Sequence, residues 1–92
     1  MMRSRYTAYA IRDRDYLLAT WHPSTRPSSL VFDPEVEWFR LDILGRTGGG
    51  LLDDTGTVEF RAHFRSANLR HSQFENSRFV RIDKAWVYLD KV

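Results

Sequence analysis

Val58-Glu59-Phe60-Arg61-Ala62-His63-Phe64-Arg65 decides the fold. Apolar and polar residues alternate without a break, so Val58, Phe60, Ala62 and Phe64 face one way and Glu59, Arg61, His63 and Arg65 the other. Period two is the mark of a half-buried strand, because successive side chains leave the backbone on opposite sides. Downstream, Ser66 to Asn68 turns the chain, residues Arg70 to Arg81 read as a second strand of this kind, and Asp83-Lys84 turns into a last one holding Trp86, Val87, Tyr88 and Leu89. Upstream, Phe39, Leu41 and Ile43 alternate with polar neighbours in a strand over Trp38 to Arg46. Gly48-Gly49-Gly50 ends it, and Asp53-Asp54-Thr55-Gly56 has turn chemistry. Connections this short join antiparallel neighbours, so the four strands predict a meander.

The beginning of the chain has the other period. From Ser4 to Trp21, Tyr6, Ala10, Leu17 and Trp21 recur at helical spacing with Tyr9 beside them. Arg12-Asp13-Arg14-Asp15 interrupts the stripe, and an aspartate can cap a new helix by accepting orphan backbone N–H groups. Two short helices with a break near Asp13 are expected. Pro23 stops the second, Ser24 to Ser29 is loop, and Asp33-Pro34-Glu35 reads as a further helix start of a turn or two. Helices first and hairpins after make an α+β domain with the helices packed on one face of a curved antiparallel sheet. Ninety-two residues fit one domain over 1–92, since separate cores need roughly 50 residues each.

Composition narrows the function classes. With no cysteine there is no disulfide scaffold and no Cys-ligated zinc or iron–sulfur site. His22, His63 and His71 have no metal-binding spacing, so no metal and no cofactor is expected. No apolar run approaches the ~18–20 residues that span a bilayer, and no secretory signal is present, which makes cytoplasm the expected location and excludes a membrane partner. The net charge of +2 rests on arginine more than lysine. Acids are interleaved with the arginines throughout, and Arg3, Arg5, Arg12 and Arg14 spread around the N-terminal helices, which weighs against nucleic acid as a partner. Gly48-Gly49-Gly50 lacks the Lys-Ser/Thr of a phosphate loop.

Met2-Arg3-Ser4-Arg5-Tyr6-Thr7-Ala8-Tyr9 and Asp15-Tyr16-Leu17-Leu18-Ala19-Thr20-Trp21-His22-Pro23-Ser24 resemble the opening of the middle domain of the YchJ family of SEC-C-motif proteins. Val58-Glu59-Phe60-Arg61-Ala62, Glu75-Asn76-Ser77-Arg78-Phe79 and Trp86-Val87-Tyr88-Leu89-Asp90 are similar to its later blocks, in order. The resemblance implies an NTF2-like cone, a strongly curved sheet wrapped around helices and often enclosing a pocket, in a family without an assigned activity. Such proteins commonly begin with a Cys-rich, zinc-binding SEC-C segment. This chain has no cysteine, so neither zinc nor a SecB-type contact carries over. The match begins where the family's middle domain begins, as expected of a shortened relative, a truncated reading frame or an excised domain. Lys84 stands where the family's last hairpin turn usually has glycine, and a less ideal turn is expected there.

The candidate site residues each have an ordinary explanation beside a functional one. Tyr6, Tyr9, Tyr16 and Trp21, joined by Trp38 and Phe60, are either core or the lining of a pocket between helix and sheet; buried Tyr and Trp need partners for their polar tips. His22 ends a helix, where it can bond the last carbonyls, or it acts as general acid or base at a pocket mouth. Glu59, Arg61, His63 and Arg65 pair across strands with Gln73 and Glu75, or a carboxylate among Glu59 and Glu75 does chemistry. Glu75 and Arg78 lie three apart and point to opposite faces of a regular strand; only a bulge joins them into an anchor for an anionic ligand. The leading function is a non-catalytic module that binds a small molecule or a protein partner, with a homodimer through the sheet suggested by fold analogy. The alternative is a small-molecule enzyme using His22 or a pocket carboxylate.

Overall fold

The computed structural model describes residues 2–92. Two helices, α1 (Met2–Ile11) and α2 (Arg14–Ala19), precede four strands, β1 (Glu37–Gly48), β2 (Thr55–Ser66), β3 (Leu69–Ile82) and β4 (Ala85–Lys91). The strands form one antiparallel sheet in the order β1-β2-β3-β4, the predicted meander. The helical break falls where expected: Arg12 takes a positive φ of 59°, and the Asp13 side chain accepts from Tyr16 N at 3.1 Å, capping α2. Asp33-Pro34-Glu35 makes a single turn, closed by Val36 N on Asp33 O, and no helix. Three residues before a strand leave no room for the second turn that a helix needs.

The β2–β3 register pairs Phe60 with Glu75, Ala62 with Gln73 and Val58 with Ser77, which fixes the two faces of the sheet. Phe60, Ala62, Ser77 and Phe79 are buried on the concave face, beneath the helices with Leu17 and Ala8. Glu75 and Gln73 therefore share the face of Phe60. The expected ion pairing of Glu59, Arg61, His63 and Arg65 with Gln73 and Glu75 does not form, since Asn76, Phe74, Ser72 and Arg70 stand opposite them.

Register shifts reshape β1 and β4. In β1 the shift between Trp38 and Arg40 leaves Phe39 extra, and that between Ile43 and Gly45 leaves Leu44 extra. Trp38, opposite Phe64, thereby joins the concave row of Leu41 and Ile43 in place of Phe39, which packs beside His63 on the other side at 6.1 Å. In β4, Leu89 is the extra residue between Asp90, opposite Arg78, and Tyr88, opposite Phe79.

The hairpin turns are tight. Ala67 and Asn68 take φ of 51° and 64°, and Asp83 and Lys84 of 49° and 70°. The last turn keeps the left-handed geometry that glycine would adopt freely, with Lys84 carrying the strain.

Candidate functional site

The curved sheet and the helices flank a half-open cavity of about 480 Å³. Tyr6 and Tyr9 of α1, Trp21 after α2, Trp38 of β1, Phe60 of β2 and Glu75 of β3 all line it. Six of the nine residues proposed from sequence thus meet in one place: the helical and period-two patterns bring Tyr6, Tyr9, Trp21 and Phe60, the β1 bulge brings Trp38, and the β2–β3 register brings Glu75.

The remaining three lie elsewhere. The Tyr16 hydroxyl donates to Ser4 Oγ at 2.6 Å, joining the two helices outside the cavity. His22 also lies outside it, and its Nδ1 accepts from Ser24 N at 3.0 Å, so the ring bonds forward to the loop rather than back to the carbonyls of α2. Arg78 stands opposite Asp90, with Nε 3.0 Å from Oδ1 but poorly aligned for a hydrogen bond. It is on the convex side, so no bulge joins it to Glu75.

The carbonyls at the end of α2 find another cation. Arg5, 3% exposed, reaches across from α1, and its Nη1 donates to Leu17 O at 3.0 Å, Thr20 O at 3.1 Å and Thr20 Oγ1 at 2.6 Å. Its guanidinium lies 5.1 Å from the Trp21 ring centre and 4.9 Å from that of Tyr88. The cation is favoured there by the helix dipole and by both ring faces. Burial lowers its pKa, with the Tyr9 and Tyr88 hydroxyls pulling the other way. Sequence reasoning placed Arg5 among solvated arginines; its helical spacing of four from Tyr9 was the available signal that it shares the aromatic face.

Tyr88 was missed as well. It sits in β4 opposite Phe79, edge-on to Phe79 at 5.8 Å and to Trp21 at 5.1 Å. Its hydroxyl points to Glu75 Oε2 at 3.5 Å, and Ser77 Oγ donates to the same oxygen. Burial and then the Glu75 charge push the Tyr88 pKa up to about 12, so it stays a neutral hydroxyl. Burial raises Tyr9 too, partly offset by Arg5. Trp21 Nε1 is shielded from solvent and lacks a hydrogen-bond partner. The cavity thus has aromatic walls and a carboxylate braced by two hydroxyls.

A second hollow, of about 440 Å³, lies towards the other end of the concave face and is lined by Arg3, Arg46, Phe79 and Trp86. Among the described residues no group of three or more His, Asp or Glu side chains is placed to hold a metal ion. No helix among the described residues is long and apolar enough to cross a membrane.

Short helices laid over a curved antiparallel meander, with an aromatic cavity between them, define an NTF2-like α+β domain. The chain belongs to the YchJ family: residues 1–91 match the family model described as the YchJ middle NTF2-like domain. It is 52% identical over 90 residues to a UPF0225 protein of Streptomyces avermitilis, covering 98% of this chain and 61% of that one. It is 45% identical over 92 residues to a UPF0225 protein of Chromobacterium violaceum, covering 97% and 68%. The solution structure of a SEC-C motif containing protein from Rhodopseudomonas palustris superposes with a TM-score of 0.83 at 34% identity, over 99% of this chain and 73% of that one. The crystal structure of a SEC-C motif containing protein from Psychrobacter arcticus gives 0.75 at 27% identity, over 97% and 56%. The chain therefore spans about three fifths of the Streptomyces avermitilis protein.

Proposed function

We propose that this domain is a non-catalytic binding module whose helix–sheet cavity holds a small, flat organic molecule bearing a hydrogen-bond donor. The observation that carries this reading is the Glu75 carboxylate, braced by Ser77 and Tyr88 in the wall of an aromatic cavity. The Trp21, Trp38 and Phe60 rings favour a flat partner, and the Glu75 carboxylate accepts from a hydroxyl or amine on it.

Native mass spectrometry of the protein as purified tests the proposal, followed by Trp fluorescence titration with planar hydroxylated and amino compounds. Retained mass, or a saturable fluorescence change weakened at least about tenfold by Glu75→Gln, is the expected result, as for a charge-assisted hydrogen bond. A bare protein whose fluorescence no such compound alters would sink the proposal.

A second reading keeps the same cavity and makes Glu75 a general acid or base, because it is the carboxylate braced by Ser77 and Tyr88 against the cavity wall. Chemical turnover of the bound molecule, abolished in Glu75→Gln while binding persists, separates this enzyme from the binding module.

A further inference from the structure

The convex face of the sheet gathers arginines that are scattered in the sequence. The register places Arg40 opposite His63, with Arg61, Arg65 and Arg70 on the same face. Arg65 and Arg70 stand directly opposite one another across β2 and β3. Like charges in that position repel, so sheet pairing gives no reason for them. Among the described residues neither forms an ion pair, although Glu37 stands opposite Arg65 on β1, and Arg61 bonds only to Ser72, at 3.2 Å. Asp42 offsets little of this charge, since Arg40 and His63 already hold it at 3.0 and 2.8 Å.

Aromatic rings are set among these cations. Phe39 and Phe74 are 39% and 51% exposed, unlike Phe60 and Phe79 on the concave face. Arg65 and Arg70 lie 5.1 and 5.8 Å from the Phe39 ring centre, and Arg61 lies 5.9 Å from that of Phe74. Guanidinium groups held against rings present flat, charged surfaces. An open sheet face with exposed aromatics, and with arginines that form no ion pair with the Glu37 and Glu59 sharing it, is the chemistry that binds single strands, because phosphates take the charge and bases stack on rings and guanidinium planes.

We propose that the convex face, through Arg61, Arg65, Arg70, Phe39 and Phe74, binds single-stranded nucleic acid without strong sequence preference. An acidic polypeptide would satisfy the arginines but leaves the exposed rings without a role.

Fluorescence anisotropy of the whole chain with a labelled single-stranded RNA of mixed sequence is the test. Binding is expected near micromolar at about 50 mM salt, weakening about tenfold to twentyfold by about 200 mM if three phosphates are neutralised. Arg65→Gln with Arg70→Gln should weaken it at least about tenfold, and Phe74→Ala about fivefold or more through lost stacking. The paired glutamines also relieve the repulsion, so that variant should melt no lower than the parent. Arg12→Gln with Arg14→Gln, at the break between the helices and the start of α2, should leave binding unchanged. No binding at low salt overturns the proposal, as does equal affinity in the paired-glutamine variant. Equal binding of a polyglutamate peptide, with Phe74→Ala indifferent, assigns the face to an acidic protein partner and overturns it too.

Discussion

The two faces of this sheet are built from the same strands and differ in almost every physical respect. On the concave face Phe60 and Phe79 are 7% and 4% exposed, and the polar groups among them, Glu75, Ser77 and Tyr88, bond to one another. On the convex face Phe74 is 51% exposed beside Arg61, and charge is left unpaired. Neighbours in sequence, Phe74 and Glu75, sit in opposite surroundings from what their chemistry alone suggests: the carboxylate is under the helices and the ring is in water. Stability accordingly resides on one side of the sheet and unspent surface chemistry on the other.

Alanine in place of each phenylalanine breaks the comparison most strongly. Phe79→Ala should cost about 3–5 kcal/mol in urea denaturation, whereas Phe74→Ala should cost less than about 1 kcal/mol; equal losses would mean that the convex ring is also structural. The arginines give the next effect. Arg5→Lys removes a planar group bonded at three acceptors and should cost about 1.5–3 kcal/mol, against about 0.5 kcal/mol or less for Arg61→Lys, read from the same denaturation curves. Smallest is a change that touches neither face. Lys84→Gly relieves the positive φ of 70° in the last turn and should raise stability by about 0.5–1 kcal/mol, visible as a higher melting temperature with the cavity unchanged.

What the sequence made legible is what local patterns control. The alternation in Val58 to Arg65, the Asp13 break and the short turns each have a nearby physical cause, and the meander and α+β layers follow from them. The cavity was legible as far as those patterns reach, which covers Tyr6, Tyr9, Trp21 and Phe60; Trp38 and Glu75 line it against them. The failures lie where register decides. The bulge at Phe39 exchanges it with Trp38 between faces, and an aromatic pair in a strand carries no sign of that slip; Gly45, beside the second bulge, was at least a hint. The partners of Glu59, Arg61, His63 and Arg65 depend on the β2–β3 turn rather than on their own spacing. Arg5 was misplaced because a cation in a helix is normally solvated, and only the arrival of Trp21 and Tyr88 from elsewhere makes burial favourable. Tyr16 and His22 each stand one residue from the stripe at Leu17 and Trp21, a step that takes them off its face and away from the cavity.

The sheet also has two borders. Beyond β4, Tyr88 N donates to Thr20 O at 2.8 Å and His22 N to Tyr88 O at 2.7 Å, a short parallel bridge that ties off that margin. Among the described residues the outer margin of β1 has no neighbouring strand, yet it is interrupted twice along its length, at Phe39 and at Leu44. Each interruption kinks the line of amide and carbonyl groups that another chain would need to extend the ladder. A chain with few residues to spare is thereby guarded against joining its copies margin to margin, by the same irregularity that exchanges Trp38 and Phe39 between the faces.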